Sequence, residues 1–170
     1  MAEPQDRISV DECAADVRLL ARRLALLHYY YAEAIIGRLG EEEGRALVKE
    51  AIWAYGRHCG NAVRAEVEAL GLPLTAENYS RGRDLPRFGW ESGKVTLPNG
   101  EVRATSLFCP IAATLQELGP RGMELGRLYC FVDQAKFEAY NPAIEFAHAR
   151  NVLDGDACCE FAVGARATGE

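Results

Sequence analysis

The chain has 170 residues, of which 49% are apolar, and a formal net charge of −6. That is enough apolar matter for one substantial core and argues for a single domain over residues 1–170. The acidic balance leaves no basic stripe for a nucleic-acid partner and disfavours an anionic membrane surface. Its longest apolar runs, such as Leu24 to Leu27, fall far below the ~20 residues of a transmembrane span. Met1 to Asp11 has acidic residues and no apolar h-region, unlike a secretory signal. A cytoplasmic setting is expected, so the six cysteines read as thiols or ligands before disulfides.

From Asp11 to Leu39 the residues Val17, Leu20, Leu24, Leu27, Tyr31 and Ile35 recur three or four apart, the period of a helix with one buried face. Ser9 with Glu12 fits a capping box, and Gly40 a C-terminal stop. A second helix is predicted from about Glu41 to Leu70, with Ala46, Ile52, Trp53, Gly56, Val63, Val67 and Leu70 inward. Gly56 and Gly60, four apart on one face, imply the close approach of another backbone. This helical half spans about 9–72 and a sheet-containing half about 85–166.

Between Thr75 and Glu101 the chain turns to Pro, Gly, Asn and charged residues, and Leu97-Pro98-Asn99-Gly100-Glu101-Val102 reads as a hairpin turn. Phe88 and Trp90, then Lys94 to Leu97, and then Val102 to Phe108 are the candidate strands. A short helix is predicted over Ile111 to Leu118, begun by Pro110 and stopped by Gly119-Pro120. Gly126 to Val132 is compatible with a strand or a helix end. Phe137 to Asn141 and Ala143 to His148 read as helical turns split by Asn141-Pro142. Ala157 to Ala165 is the closing strand, with Cys159, Phe161 and Val163 on one face. The expected class is α+β: two long N-terminal helices packed on a small antiparallel sheet, with short C-terminal helices.

Four of the six cysteines lie in the last third of the chain. Cys109 precedes Pro110 at a helix start, where free N–H groups stabilise a thiolate. Its thiol is therefore expected to titrate below ~8.5 and to alkylate first. Cys130 and Asp133 share a face if they lie on a helical turn. Asp133 has no turn role and is the preferred carboxylate for proton transfer or water activation. Asp156, after Gly155, reads as a turn residue. Asn141 is either an Asx turn or an amide for a substrate carboxylate. His28 and His58 are single helix histidines, each able to serve a thiol as base if the helices line the sheet. A zinc site with ligands Cys109, Cys130, Cys159 and His148 or an Asp ranks second to a metal-free site, because no Cys-x-x-Cys pair exists.

Cys109-Pro110, Tyr129-Cys130-x-x-Asp133, Asn141-Pro142-x-x-x-Phe146, Asn151 and Gly155-Asp156-x-x-Cys159-x-Phe161 together resemble the L-2-amino-thiazoline-4-carboxylic acid hydrolase family. Trp53, Tyr55 and Gly56, followed by Gly60 and Arg64, look like its helical half, so the resemblance runs from about Leu20 to Val163. It implies an enzyme that adds water at a C=N carbon of a small five-membered ring and opens it. Cys109, Cys130, Asp133 and Cys159 would be catalytic, and Asn141, His28, His58 and Tyr55 would bind substrate. No cofactor is implied; the partner is a small molecule, and assembly into a homo-oligomer is left open. The ending Gly155-Asp156-x-x-Cys159-x-Phe161 is also similar to 4-vinyl reductase-type domains, which implies a non-catalytic small-molecule-binding module as the alternative.

Overall fold

A computed structural model describes residues 7–166. Residues 1–6 of the Met1–Asp11 stretch, read above as lacking a signal, lie outside that range. Helix α1 (Val10–Leu39) starts on the expected capping box, with the Ser9 hydroxyl accepting from the Glu12 N–H and the Glu12 carboxylate accepting from the Ser9 N–H. Gly40, at φ 87°, turns the chain sharply into α2 (Glu41–Ala69), so the two helices form an antiparallel hairpin. Glycine is required there because a side chain strains that backbone. Strands β1 (Glu91–Thr96) and β2 (Val102–Phe108) form the expected hairpin. Three short helices follow: α3 (Pro110–Glu117), α4 (Gly119–Tyr129) and α5 (Phe131–Tyr140). Strands β3 (Ile144–Arg150) and β4 (Cys159–Ala165) complete a four-stranded antiparallel sheet in the order β1-β2-β4-β3.

The α+β class holds, with one refinement of layering. The helix hairpin lies chiefly against α3, α4 and α5, and α1 meets the sheet where Arg18 pairs with Glu91 and covers Phe108. Gly56 and Gly60 explain the closeness of α2 and α5. A Cβ at Gly56 would fall 2.7 Å from the Val132 carbonyl oxygen, and one at Gly60 would collide with the Lys136 backbone. Val63 and Val67 of α2 then pack on Tyr140 and Ile144, while Ala32 and Ile36 of α1 pack on Val48, Leu125 and Leu128.

Two expectations need correction. Segment 143–148 is strand, not helical turn: Ile144, Phe146 and His148 alternate inward, a period of two. Phe88 and Trp90 lie in the connector before β1, not in a strand. Of the two alternatives for Gly126 to Val132 the helix end holds, since it closes α4 and opens α5. The inward face of α1 also differs. Ala21, Ala25, His28, Ala32 and Ile36 are buried, whereas Leu20 (67%), Leu27 (54%) and Tyr31 (60%) remain exposed. Small residues let the flanking helices come close, and that gain in packing outweighs burial of the larger stripe. On α2, Gly56, Val63 and Val67 are inward as expected, but Ala46 and Leu70 are exposed.

Candidate functional site

A cavity of about 290 Å³ lies between the sheet and the layer of short helices. That volume is at the small end for ligand pockets and suits a compact molecule rather than a polymer segment. Strand register builds one wall. Ser106 pairs with Cys159 and Ala104 with Phe161 across β2–β4, while His148 pairs with Phe161 and Phe146 with Val163 across β3–β4. Alternation puts all of these on the cavity face. Beyond His148 the register shifts before Arg150, a bulge beside the site. Helix α3 contributes Cys109 at its N-cap, and α5 contributes Asp133 and Lys136, one turn apart. The connector before β1 contributes Asp84 and Trp90.

The polar centre is a chain of four charged or ionisable side chains. Asp133 Oδ2 lies 3.4 Å from His148 Nε2, and Asp133 Oδ1 lies 3.7 Å from Lys136 Nζ. Lys136 Nζ is also 3.1 Å from Asp84. Burial works to raise the Asp133 carboxyl, but the His148 hydrogen bond and the Lys136 charge overcome it and hold the group below the usual carboxylate range. Burial likewise works to lower Lys136, yet Asp133 and Asp84 outweigh it and push the ammonium upward. Lys136 therefore stays cationic and supplies field, not a base.

The thiols behave differently from expectation. Burial pushes Cys109 up and outweighs the Ala112 and Ile111 N–H groups and the Trp90 side chain that would favour a thiolate. Cys130 is pushed up to about 12, first by burial and then by the Asp133 charge, despite an Asn151 Nδ2 donor 3.5 Å from its sulfur. Burial also raises Cys159. The helix start is real, but desolvation overrides it, so the expectation of a low-titrating Cys109 is corrected. Among the described residues no three His, Cys, Asp or Glu side chains are grouped so as to hold a metal ion.

Cys109, Cys130, Asp133 and Cys159 are thus brought together, and the four residues assigned to substrate binding are not. The Asn141 amide donates to the Leu74 carbonyl at 2.7 Å and its oxygen accepts from the Ala143 N–H, which fixes the α5–β3 turn. His28 faces α4, with Nε2 2.9 Å from the Leu125 carbonyl oxygen. His58 is exposed on α2. Tyr55 lies in an apolar groove between α1 and α2. Asp156 accepts from the Asn151 N–H at 2.8 Å, the turn role expected of it.

Sequence reasoning did not single out Lys136 and Asp84, and it named His148 only as a possible zinc ligand. For His148 the signal was present in Ile144-x-Phe146-x-His148, whose alternation matches Cys159-x-Phe161-x-Val163. For Asp84, in an irregular connector, no spacing could show that it meets α5.

No curated protein and no solved structure matches the chain. A family model does: that of L-2-amino-thiazoline-4-carboxylic acid hydrolase matches residues 19–163, which includes the whole cavity wall and most of the helix hairpin. With that match over most of its length, the chain belongs to the L-2-amino-thiazoline-4-carboxylic acid hydrolase family, whose name denotes a hydrolase.

Proposed function

We propose that the protein opens a small five-membered C=N heterocycle, an aminothiazoline carboxylate or a related cyclic amidine, using water activated by Asp133 and His148. The observation that carries this reading is the Asp133–His148 pair, 3.4 Å apart at the cavity wall, beside thiols that burial keeps protonated. A carboxylate that bonds one imidazole nitrogen orients the ring and stabilises the imidazolium that forms when the other nitrogen accepts a proton.

The imidazole takes a proton from water as the oxygen adds to the carbon of the amidinium cation, and the C=N electrons pass to the nitrogen, which already carries its proton. The tetrahedral carbon then collapses to a carbonyl, and its hydroxyl proton passes to solvent. Its ring C–N or C–S bond breaks, and the proton held on His148 goes to the departing nitrogen or sulfur. One water is consumed and no redox change occurs. Asp133 and Asp84 outnumber the single ammonium of Lys136, which favours a substrate that presents a cationic amidinium. The aromatic faces of Phe146, Phe161 and Trp90 cover the apolar part of such a ring.

A second reading has its own observation: the Ile111 and Ala112 N–H groups and the Trp90 side chain reach Cys109 and would support attack by its thiolate. Turnover of the aminothiazoline acid by three variants separates the two. Asp133→Asn and His148→Gln are each expected to keep the fold and to lower turnover roughly 10²–10⁴-fold. Cys109→Ser is expected to stay within about tenfold of wild type, with no substrate adduct by mass spectrometry. A Cys109→Ser loss as deep as that of Asp133→Asn, with an adduct on Cys109, would transfer the reaction to the thiolate. Binding without any turnover by wild type would favour the binding-module alternative.

A further inference from the structure

Residues 83–88, between the helical turn Glu77–Arg81 and β1, form a strap at the mouth of the cavity. Leu85 lines the cavity and is 50% exposed, which places the strap at the boundary between cavity and solvent. Both ends of the strap are anchored. At one end a Cβ on Gly82 would fall 2.8 Å from Val63 of α2, and the Arg83 N–H donates to Glu66 at 2.7 Å. At the other end a Cβ on Gly89, at φ 103°, would fall 2.7 Å from Val17 of α1, and Arg18 Nε donates to the Gly89 carbonyl at 3.2 Å.

The span between these anchors is built differently. Residues 84–88 belong to no helix or strand, and among the described residues none of them makes a backbone–backbone hydrogen bond. Backbone of this kind opens at low free energy, and the lids of small-molecule sites are drawn from it. What holds the span down is Asp84, whose two carboxylate oxygens each lie 3.1 Å from Lys136 Nζ. That contact can be released without stranding a charge. Lys136 is buried, and a buried ammonium stripped of every partner is strongly destabilising, but Asp133 Oδ1 stands 3.7 Å away and keeps it paired when Asp84 leaves. Asp84 also has a second donor at hand. The Tyr79 hydroxyl, in the turn that leads into the strap, is buried with no hydrogen-bond partner, and burial and then the Asp84 charge push its phenol upward, so it keeps its proton to donate.

We propose that residues 83–88 are the gate of the cavity, anchored at Gly82 and Gly89 and latched shut by the Asp84–Lys136 ion pair. Opening lifts Leu85 from the mouth and leaves Lys136 to Asp133; closure restores both contacts. The gate is a property of the cavity and does not depend on which ring the protein opens.

The chain carries its own reporters, so no substrate is needed for the test. Cys109 lines the cavity and Cys13, on α1, does not, so alkylation of Cys109 by uncharged N-ethylmaleimide, measured against Cys13, follows passage through the mouth. Trypsin cleavage of the folded protein at Arg87–Phe88 follows the strap itself. Asp84→Asn and Lys136→Met, one from each side of the latch, are each expected to raise both rates at least roughly fivefold over wild type, with circular dichroism unchanged. Asp84→Glu, which retains the carboxylate, is expected to stay within about twofold. Lys136→Met leaves the strap sequence untouched, so its faster cleavage does not arise from altered protease recognition. Asp84→Asn is isosteric and lies outside the core, which keeps the test decisive if Lys136→Met fails to fold. Both rates unchanged in the folded variants overturn the latch. Faster cleavage with Cys109 alkylation unchanged, or faster alkylation with cleavage unchanged, overturns the gate.

Discussion

Asp133 shows how a single position acquires a role through its neighbours. On α5 it lies one turn from Lys136, and across the cavity it meets His148, so its charge is held in place by a fixed cation and a hydrogen-bond donor. Cys109 illustrates the opposite outcome. Three donors surround its sulfur, yet burial dominates and the group stays a thiol. A consequence follows for labelling. Brief iodoacetamide treatment at neutral pH is expected to modify Cys13, Cys59 and Cys158 before Cys109, Cys130 and Cys159, because alkylation needs thiolate and burial suppresses it at the latter three. Peptide mass spectrometry gives the order, and Cys109 in first place would contradict the environment described for it.

At the scale of elements, the site depends on how closely α2 approaches α5. Gly56 and Gly60 have no side chain because Val132, Ala135 and Lys136 occupy the space. The same close approach fixes where Asp133 and Lys136 point, so packing between two helices sets the position of the chemistry. Gly60→Ala is expected to force the helices apart at a cost of about 1–3 kcal/mol, with a fall in melting temperature of several degrees. Turnover should drop further than the folded fraction does, because Lys136 shifts with its helix. Calorimetry and activity on the same sample check both. An Ala variant as stable as wild type would mean that α2 and α5 pack more loosely than described. The period-two pattern of β3 is the other element that matters. It brings His148 onto the cavity wall, whereas a helical turn would have turned it elsewhere.

The whole molecule has a pH dependence that follows from the buried His28 and the half-buried Asp133. Burial lowers the His28 imidazole and outweighs the Leu125 carbonyl that would raise it, so the folded state takes up its proton at lower pH than the unfolded chain. That contribution to stability is complete above the unfolded value of ~6.5 and is lost as pH falls through the folded value. Asp133, depressed in the fold, adds a second loss only below about pH 4. Stability should therefore decline as pH falls from 6.5 towards 5, with a limiting slope of about 1.4 kcal/mol per pH unit from one proton, read as a falling melting temperature. His28→Gln, which still donates to Leu125, should flatten that decline. An equal slope in the variant would assign it to other groups. No helix among the described residues is long and apolar enough to cross a membrane. Local chemistry in the sequence by itself determined much of this: the capping box and Gly40 bound α1, the Asn99-Gly100 turn marked the hairpin, and Pro110 started α3, since each acts on a few adjacent residues. The same locality let Gly56 and Gly60 announce a close contact, and the motifs from Cys109 to Phe161 announced the family. Only the tertiary structure decided which stripe of α1 is buried, that Cys109 is desolvated, and that Asp84, Lys136 and His148 join Asp133. Those outcomes depend on residues distant in the chain, and neither burial nor the field of a far-off charge is expressed in sequence spacing.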